Sequence, residues 1–417
     1  MPIALPVALG LASGLVWVQG GAAQPVPQSM PVAPPTATPD HFLHPAYVPM
    51  PAPGPGEPAP PPAAEGAPVA MLVDMTSGRV LYARDAERPF LPASVTKTMT
   101  AFVAFELMAQ GKLRADQMIP VRDETWAEWH TKGSRMFLER GSSVSVENLL
   151  LGIMNVSAND AAVVLAEGAA GSVPAWTAMM NDAARRLGMT NSHFGTPNGW
   201  MDNGVTHVSA HDLVRLAEAM IDRYPEYYHH YVGRPGMRWN DITQDNHDPI
   251  LGKVRGVDGI KTGFTGEARY NYLSSAERDG RRLVMVVAGI DKPGDRRKVA
   301  ESLLEWGFTA WTGHKLYDAG ALVGDAQVQG GKAAHVGLVA PRNVMATLPT
   351  GAKSAVMMRV VYQGPLVAPI KQGAPVAELE LRTGDGQMSR VPLLAAADVP
   401  VGGALDRLRA GFSRLWR

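Results

Sequence analysis

"PASVTKTMTAFVAFE", residues 92–106, places Ser94 and Lys97 three positions apart at the mouth of an apolar run that reads as a helix. One helical turn sets such residues on one face, so the hydroxyl and the amine come within reach of each other. A serine beside an amine can be a nucleophile with its base. The pair by itself is a weak signal, because chance supplies roughly one or two Ser-x-x-Lys in a chain this long. Its meaning depends on its surroundings.

Just upstream, "AMLVDM" (70–75) and "RVLYAR" (79–84) read as two strands joined by a turn at Thr76-Ser77-Gly78, a hairpin leading into the Ser94 helix. Downstream, "SVENLLLGIMNVSANDAAVVLAEGAAG" (145–171) gives a helix, a break at Asn155-Val156-Ser157 and a second helix. "VPAWTAMMNDAARRLGM" (173–189) and "SAHDLVRLAEAMI" (209–221) carry the 3.6-residue apolar rhythm of further helices. After Arg255 strands return in "GVDGIKTG", "ARYNYLSSAERDG" and "RRLVMVVAGI", followed by a helix in "DRRKVAESLLEWGFTAW". Hairpin, helices, strands and a last helix describe an α+β sandwich, one sheet covered by helices.

Outside that body the texture changes twice. Residues 24–66 are rich in Pro and Ala, with fifteen of the 34 prolines between Pro25 and Pro62, and read as a disordered spacer. From 316 to 400, short apolar stretches separated by Gly and Pro predict a small β-rich domain. Two terminal segments point to a membrane. Residues 1–23 run apolar from Ile3 to Val18 and end in small residues, as a signal peptide does, although no Lys or Arg precedes Arg79. In residues 401–417, Leu405, Leu408, Phe412, Leu415 and Trp416 share one helical face away from Arg407, Arg414 and Arg417, the pattern of a helix lying on a membrane surface.

Bulk composition narrows the chemistry. The chain has 417 residues, 46% of them hydrophobic, so it can bury a sizeable core. Lys+Arg and Asp+Glu balance at 39 each, which offers nucleic acid no broad attraction. The absence of Cys excludes disulfides, thiolate zinc sites and a Cys nucleophile. His229 and His230 lack further ligands at metal spacing, so neither a metal nor a cofactor is expected.

Two distant segments give the Ser94 pair its company. "NVSAND" sets Ser157 and Asn159 two apart in the helix break, and "GVDGIKTGFTGEARYN" carries Lys261-Thr262-Gly263 on a strand. A Lys-Thr-Gly arises by chance about once in ten such chains, and the three elements in this order far less often. Together with "LGMTNSHFGTPNGW", these segments resemble the D-alanyl-D-alanine carboxypeptidases, the low-molecular-mass penicillin-binding proteins of the bacterial periplasm, over residues 67–315. The fold implied is the β-lactamase/transpeptidase-like sandwich, and the partners implied are peptidoglycan stem peptides and β-lactam antibiotics.

The resemblance also implies roles. Ser94 would be the nucleophile, Lys97 its base and Ser157 a proton relay to the leaving amine. Asn159 would hold the substrate amide or the Lys97 amine, Lys261 and Thr262 would meet the terminal carboxylate, Gly263 would let the substrate approach the strand, and Phe264 would lend its N–H, with that of Ser94, to the oxyanion. Asp160 reads as a helix cap. Two positions depart from the family pattern: Arg269 stands where relatives have Gly, and His247 where relatives have an Arg that helps bind the carboxylate. His247, mostly neutral at pH 7, would replace it only in part. A class A β-lactamase is disfavoured because "NSHFGTPNGWMDNG" (191–204) lacks the deacylating Glu. A DD-endopeptidase fits the extra β domain less well, and a silent wall-binding scaffold fits the complete set of reactive side chains poorly.

Overall fold

The computed structural model describes residues 56–352 and 356–403, so the signal-peptide and terminal-helix readings, and most of the spacer, lie outside the described residues. The elements of the first domain are β1 (Val69–Asp74), β2 (Arg79–Arg84), α1 (Lys97–Ala109), β3 (Met118–Pro120), α2 (Asp123–Trp129), β4 (Ser143–Ser145), α3 (Val146–Asn155), α4 (Asn159–Ala170) and α5 (Val173–Arg186). They continue with α6 (Ala210–Arg223), α7 (Pro225–Tyr231), the hairpin of β5 (Gly236–Trp239) and β6 (Ile242–Asp245), β7 (Val257–Thr265), β8 (Arg269–Arg278), β9 (Arg281–Ile290) and α8 (Pro293–Thr309).

One antiparallel sheet, in the order β2-β1-β9-β8-β7, organises this domain. Its central strands are apolar on both faces because both faces are covered. Val69, Met71, Val73, Val284 and Val286 join a core built on α1, α3, α4, α5 and α6. Their neighbours Ala70, Leu72, Leu283, Met285 and Val287 face the other way, onto Leu303 and Leu304 of α8. This is the expected α+β sandwich, and it leaves β7 as a free sheet edge.

The end of the Pro-rich segment departs from the spacer reading. Pro62–Gly66 form a 3₁₀ turn with Ala64 buried, and Glu57 pairs with Arg79 at 2.8 Å. Ala64 and Ala67 are small enough to pack beside Val299 of α8, so apolar burial, not composition, decides where folding starts.

The second domain contains β10 (Trp311–Tyr317), β11 (Leu322–Gln329), β12 (His335–Val339), β13 (Val344–Pro349), β14 (Val356–Val361), β15 (Leu366–Val367), β16 (Pro375–Thr383) and β17 (Met388–Ala395). β10 pairs with β13, and the others form a sheet in the order β14-β16-β17-β12-β11-β15 around Leu338, Leu379, Val391 and Leu393. Because β10 belongs to this domain through its pairing with β13, the β-rich part begins at Trp311, a few residues before the sequence-based boundary.

At the junction of the two domains, Arg79 pairs with Asp385 at 2.5 Å and donates to the Thr347 carbonyl at 3.1 Å, its guanidinium lying over the Trp311 ring. Asp74 accepts from Arg281 at 2.5 Å and from the Thr347 hydroxyl at 2.7 Å.

Candidate active site

The segment bearing Ser94 is fixed before α1 begins. Ala93–Thr96 form a 3₁₀ turn, Ala93 has φ 48°, and Lys97 opens the helix. Two glycines let neighbouring loops close on it: a Cβ at Gly199 would lie 1.8 Å from the Ala93 carbonyl oxygen, and one at Gly263 would lie 2.4 Å from the Pro92 carbonyl oxygen. The bare Cα of Gly263, expected to let the substrate approach the strand, also admits the Ser94 turn. Asn271 of β8 donates to the Leu91 carbonyl at 2.8 Å, tying the turn to the sheet.

Lys97 is fully buried, and its Nζ lies 2.8 Å from Ser94 Oγ, 2.7 Å from Asn159 Oδ1 and 2.7 Å from the Asn198 carbonyl oxygen. The last two are acceptors only, so they engage two N–H bonds. In a neutral amine the lone pair is then left for the Ser94 hydroxyl. Burial, followed by the charge of Lys261, holds the Lys97 amine well below the ordinary lysine value, with Asp160 pulling the other way.

Ser157 occupies the break between α3 and α4 with φ 61°, an uncommon conformation for a non-glycine residue, and its hydroxyl makes no hydrogen bond among the described residues. Asn159 opens α4, its backbone N–H donating to the Ser134 carbonyl at 2.8 Å. Asp160 is not an exposed cap. Its carboxylate is buried and accepts from the N–H groups of Met136 (3.1 Å) and Leu138 (3.2 Å), fastening the 132–138 loop beside Asn159.

Lys261, Thr262, Gly263 and Phe264 lie on the edge strand β7. Lys261 and Thr262 are buried, and Lys261 Nζ donates to the Thr262 carbonyl at 3.0 Å. Burial and then the Arg296 charge lower the Lys261 amine to about 7, opposed by Asp248. The Phe264 ring is half exposed and stacks on Tyr270 at 4.2 Å.

Arg296, near the start of α8, is the group that sequence reading missed. Its guanidinium lies over Tyr270, 5.3 Å from the ring centroid, and its charge is felt by both Lys261 and His247. In the sequence it is one charge of "DRRK" on an ordinary amphipathic helix, with nothing to separate it from Arg297. His247 is lowered to about 4 by burial and then by Lys261, Arg296 and Lys97, so it stays neutral and cannot stand in for the missing cation. Arg269 has φ 58°, in the left-handed region that favours glycine, and its side chain reaches Asp291 at 3.7 Å.

Among the described residues no group of three His, Asp or Glu side chains could hold a metal ion. The arrangement offers acyl transfer: a hydroxyl touching a buried amine, beside a strand edge with cations at one end.

Comparison with known proteins agrees with that chemistry. Residues 57–292 match the D-alanyl-D-alanine carboxypeptidase family model, and residues 311–401 match that of the penicillin-binding protein 5 C-terminal domain. The chain is 34% identical to D-alanyl-D-alanine carboxypeptidase DacD of Salmonella typhimurium, covering 84% of this chain and 91% of that protein. It resembles the structure of penicillin-binding protein 5 from Haemophilus influenzae with a TM-score of 0.70 and 32% identity, over 82% of this chain and 99% of that one. It also resembles penicillin-binding protein D2 from Listeria monocytogenes in its ampicillin-bound form, with a TM-score of 0.53 and 28% identity over 58% of this chain and 98% of that one. With a family model matching more than half its length, the chain belongs to the D-alanyl-D-alanine carboxypeptidase family.

Proposed function

We propose that this protein removes the terminal D-alanine from peptidoglycan pentapeptide stems through an acyl-enzyme on Ser94, and that penicillin acylates the same oxygen. The observation that carries the reading is the Lys97 amine, 2.8 Å from Ser94 Oγ and otherwise surrounded by carbonyl oxygens. Neutral Lys97 takes the Ser94 proton as Oγ bonds to the carbonyl carbon of the penultimate D-alanine. Negative charge gathers on the carbonyl oxygen, met by the N–H groups of Ser94 and Phe264. The C–N bond then breaks, and the leaving amine receives the proton from Lys97 by way of Ser157. Water attacks the acyl-enzyme along the reverse proton route and frees Ser94.

Arg296, Lys261 and Thr262 would hold the terminal carboxylate, since a carboxylate is best fixed by cations and a hydroxyl. Arg296 takes the part that neutral His247 cannot. Export by residues 1–23 and membrane attachment by residues 401–417 complete the proposal, supported by sequence pattern alone. Incubation with labelled penicillin and mapping of the adduct tests the mechanism. Label on Ser94 is expected; no label, or label that survives Ser94→Ala, overturns it.

A further inference from the structure

Beside Lys261 and Arg296 lies one carboxylate that the proposed mechanism does not use. Asp248 follows His247 in the loop between β6 and β7. It accepts from the Tyr272 hydroxyl at 2.7 Å and from the N–H groups of Ile250 and Leu251 at 3.0 Å each. Tyr272 stands on β8 directly opposite Thr262 of β7. Ser274, its Oγ 3.0 Å from the Tyr272 hydroxyl oxygen, donates to the Gly259 carbonyl at 2.9 Å. Through Tyr272 and Ser274, Asp248 is joined to the edge strand on both sides of Lys261.

Lys261 otherwise sits among like charges. Burial and then Arg296 of α8 lower its amine to about 7, and Asp248 opposes them. Lys261 in turn lowers Lys97 of α1 and His247 of the same loop as Asp248. At Arg296, Tyr272, Asp248 and Tyr270 all favour the charged form against burial. Burial pushes the Asp248 carboxyl up, while Tyr272, the two N–H groups and Arg296 pull it back. Hydrogen bonds donated to a carboxylate favour its anion.

We infer that Asp248 is a positioning residue of the carboxylate pocket: held by Tyr272 and by its own turn, it supplies the counter-charge shared by Lys261 and Arg296, so that both are cationic when the terminal carboxylate arrives. It acts through those cations and does not touch the substrate. Such an anion has two opposite effects. It keeps Lys261 protonated to higher pH, and it weakens the pull on a carboxylate wherever Lys261 is already charged.

The inference rests on the carboxypeptidase reading, and Asp248→Asn tests it, because the amide keeps an acceptor oxygen for the turn and for Tyr272 while losing the charge. The measurement is KM against pH for D-alanine release from acetyl-norleucyl-D-Ala-D-Ala, whose one charge is its terminal carboxylate. In the unaltered protein KM rises as pH passes about 7 and Lys261 loses its proton. In Asp248→Asn the rise comes about one pH unit lower, since removing an opposite charge eases that loss. Below the rise its KM is about two- to fivefold smaller, because a like charge near the substrate is gone, so the two profiles cross. A purely structural turn gives a KM raised at every pH with its midpoint unmoved. That result, or an unaltered profile, overturns the inference while release of D-alanine leaves the carboxypeptidase reading intact. No D-alanine from the peptide overturns both.

Discussion

The domain junction and the candidate site both bury cations, and they treat them differently. At the domain junction Arg79 meets Glu57 and Asp385, and Arg281 meets Asp74, so each buried guanidinium has a carboxylate within ion-pair distance. At the candidate site Lys97 and Lys261 are just as buried, yet their contacts are a hydroxyl, an amide oxygen and main-chain carbonyls. Paired charge holds two domains together. Unpaired charge pushes two amines towards neutrality, which a base requires and a structural ion pair does not.

Substitutions can break this contrast. Lys97→Met is expected to slow penicillin acylation by about 10²- to 10⁴-fold, the usual worth of a general base. The same change should leave thermal stability equal or higher at neutral pH. Folding must strip a proton from, or bury the charge of, a lysine whose folded value lies below its unfolded one, and that cost eases as pH rises towards the unfolded value. Loss of stability together with activity would show that Lys97 is structural. Arg79→Met should behave in the opposite way, losing about 3–5 kcal/mol in denaturant unfolding, because the Glu57 and Asp385 carboxylates lose the cation set between them, while the acylation rate of the folded fraction is retained.

Smaller changes sharpen the geometry. Gly263→Ala puts a methyl against the Pro92 carbonyl and displaces the Ser94 turn, so acylation should fall about 10²-fold with the binding of a non-reacting stem analogue less affected. Arg269→Gly relieves a left-handed residue at the expense of an exposed pair with Asp291, and should stabilise the protein by about 1 kcal/mol in thermal or denaturant melts.

The same contrast explains what the sequence made legible. Ser94, Lys97, Ser157, Asn159 and Lys261 stood in short motifs whose spacing local structure preserves, and the strands of the sheet were apolar runs with clear turns. Asp160, Gly263 and Arg296 were visible as letters, but their work depends on what lies opposite. Asp160 receives N–H groups from a loop more than twenty residues away, Gly263 faces a turn some 170 residues earlier, and the charge of Arg296 is felt at Lys261, 35 residues before it in the chain. The Arg79 cluster was missed for the same reason, its partners being spread from Glu57 to Asp385. Glu57 and Ala64 were hidden by composition, since a Pro-rich stretch carries no periodicity to mark where packing begins.

The central claim is that Lys97 is neutral when Ser94 attacks, and the pH dependence of Ser94 acylation by penicillin measures it directly. The account predicts a rate that rises with loss of one proton at a pH well below 10.5, and a rising limb that disappears in Lys97→Met. A limb near the ordinary lysine value, or one that survives Lys97→Met, would contradict it.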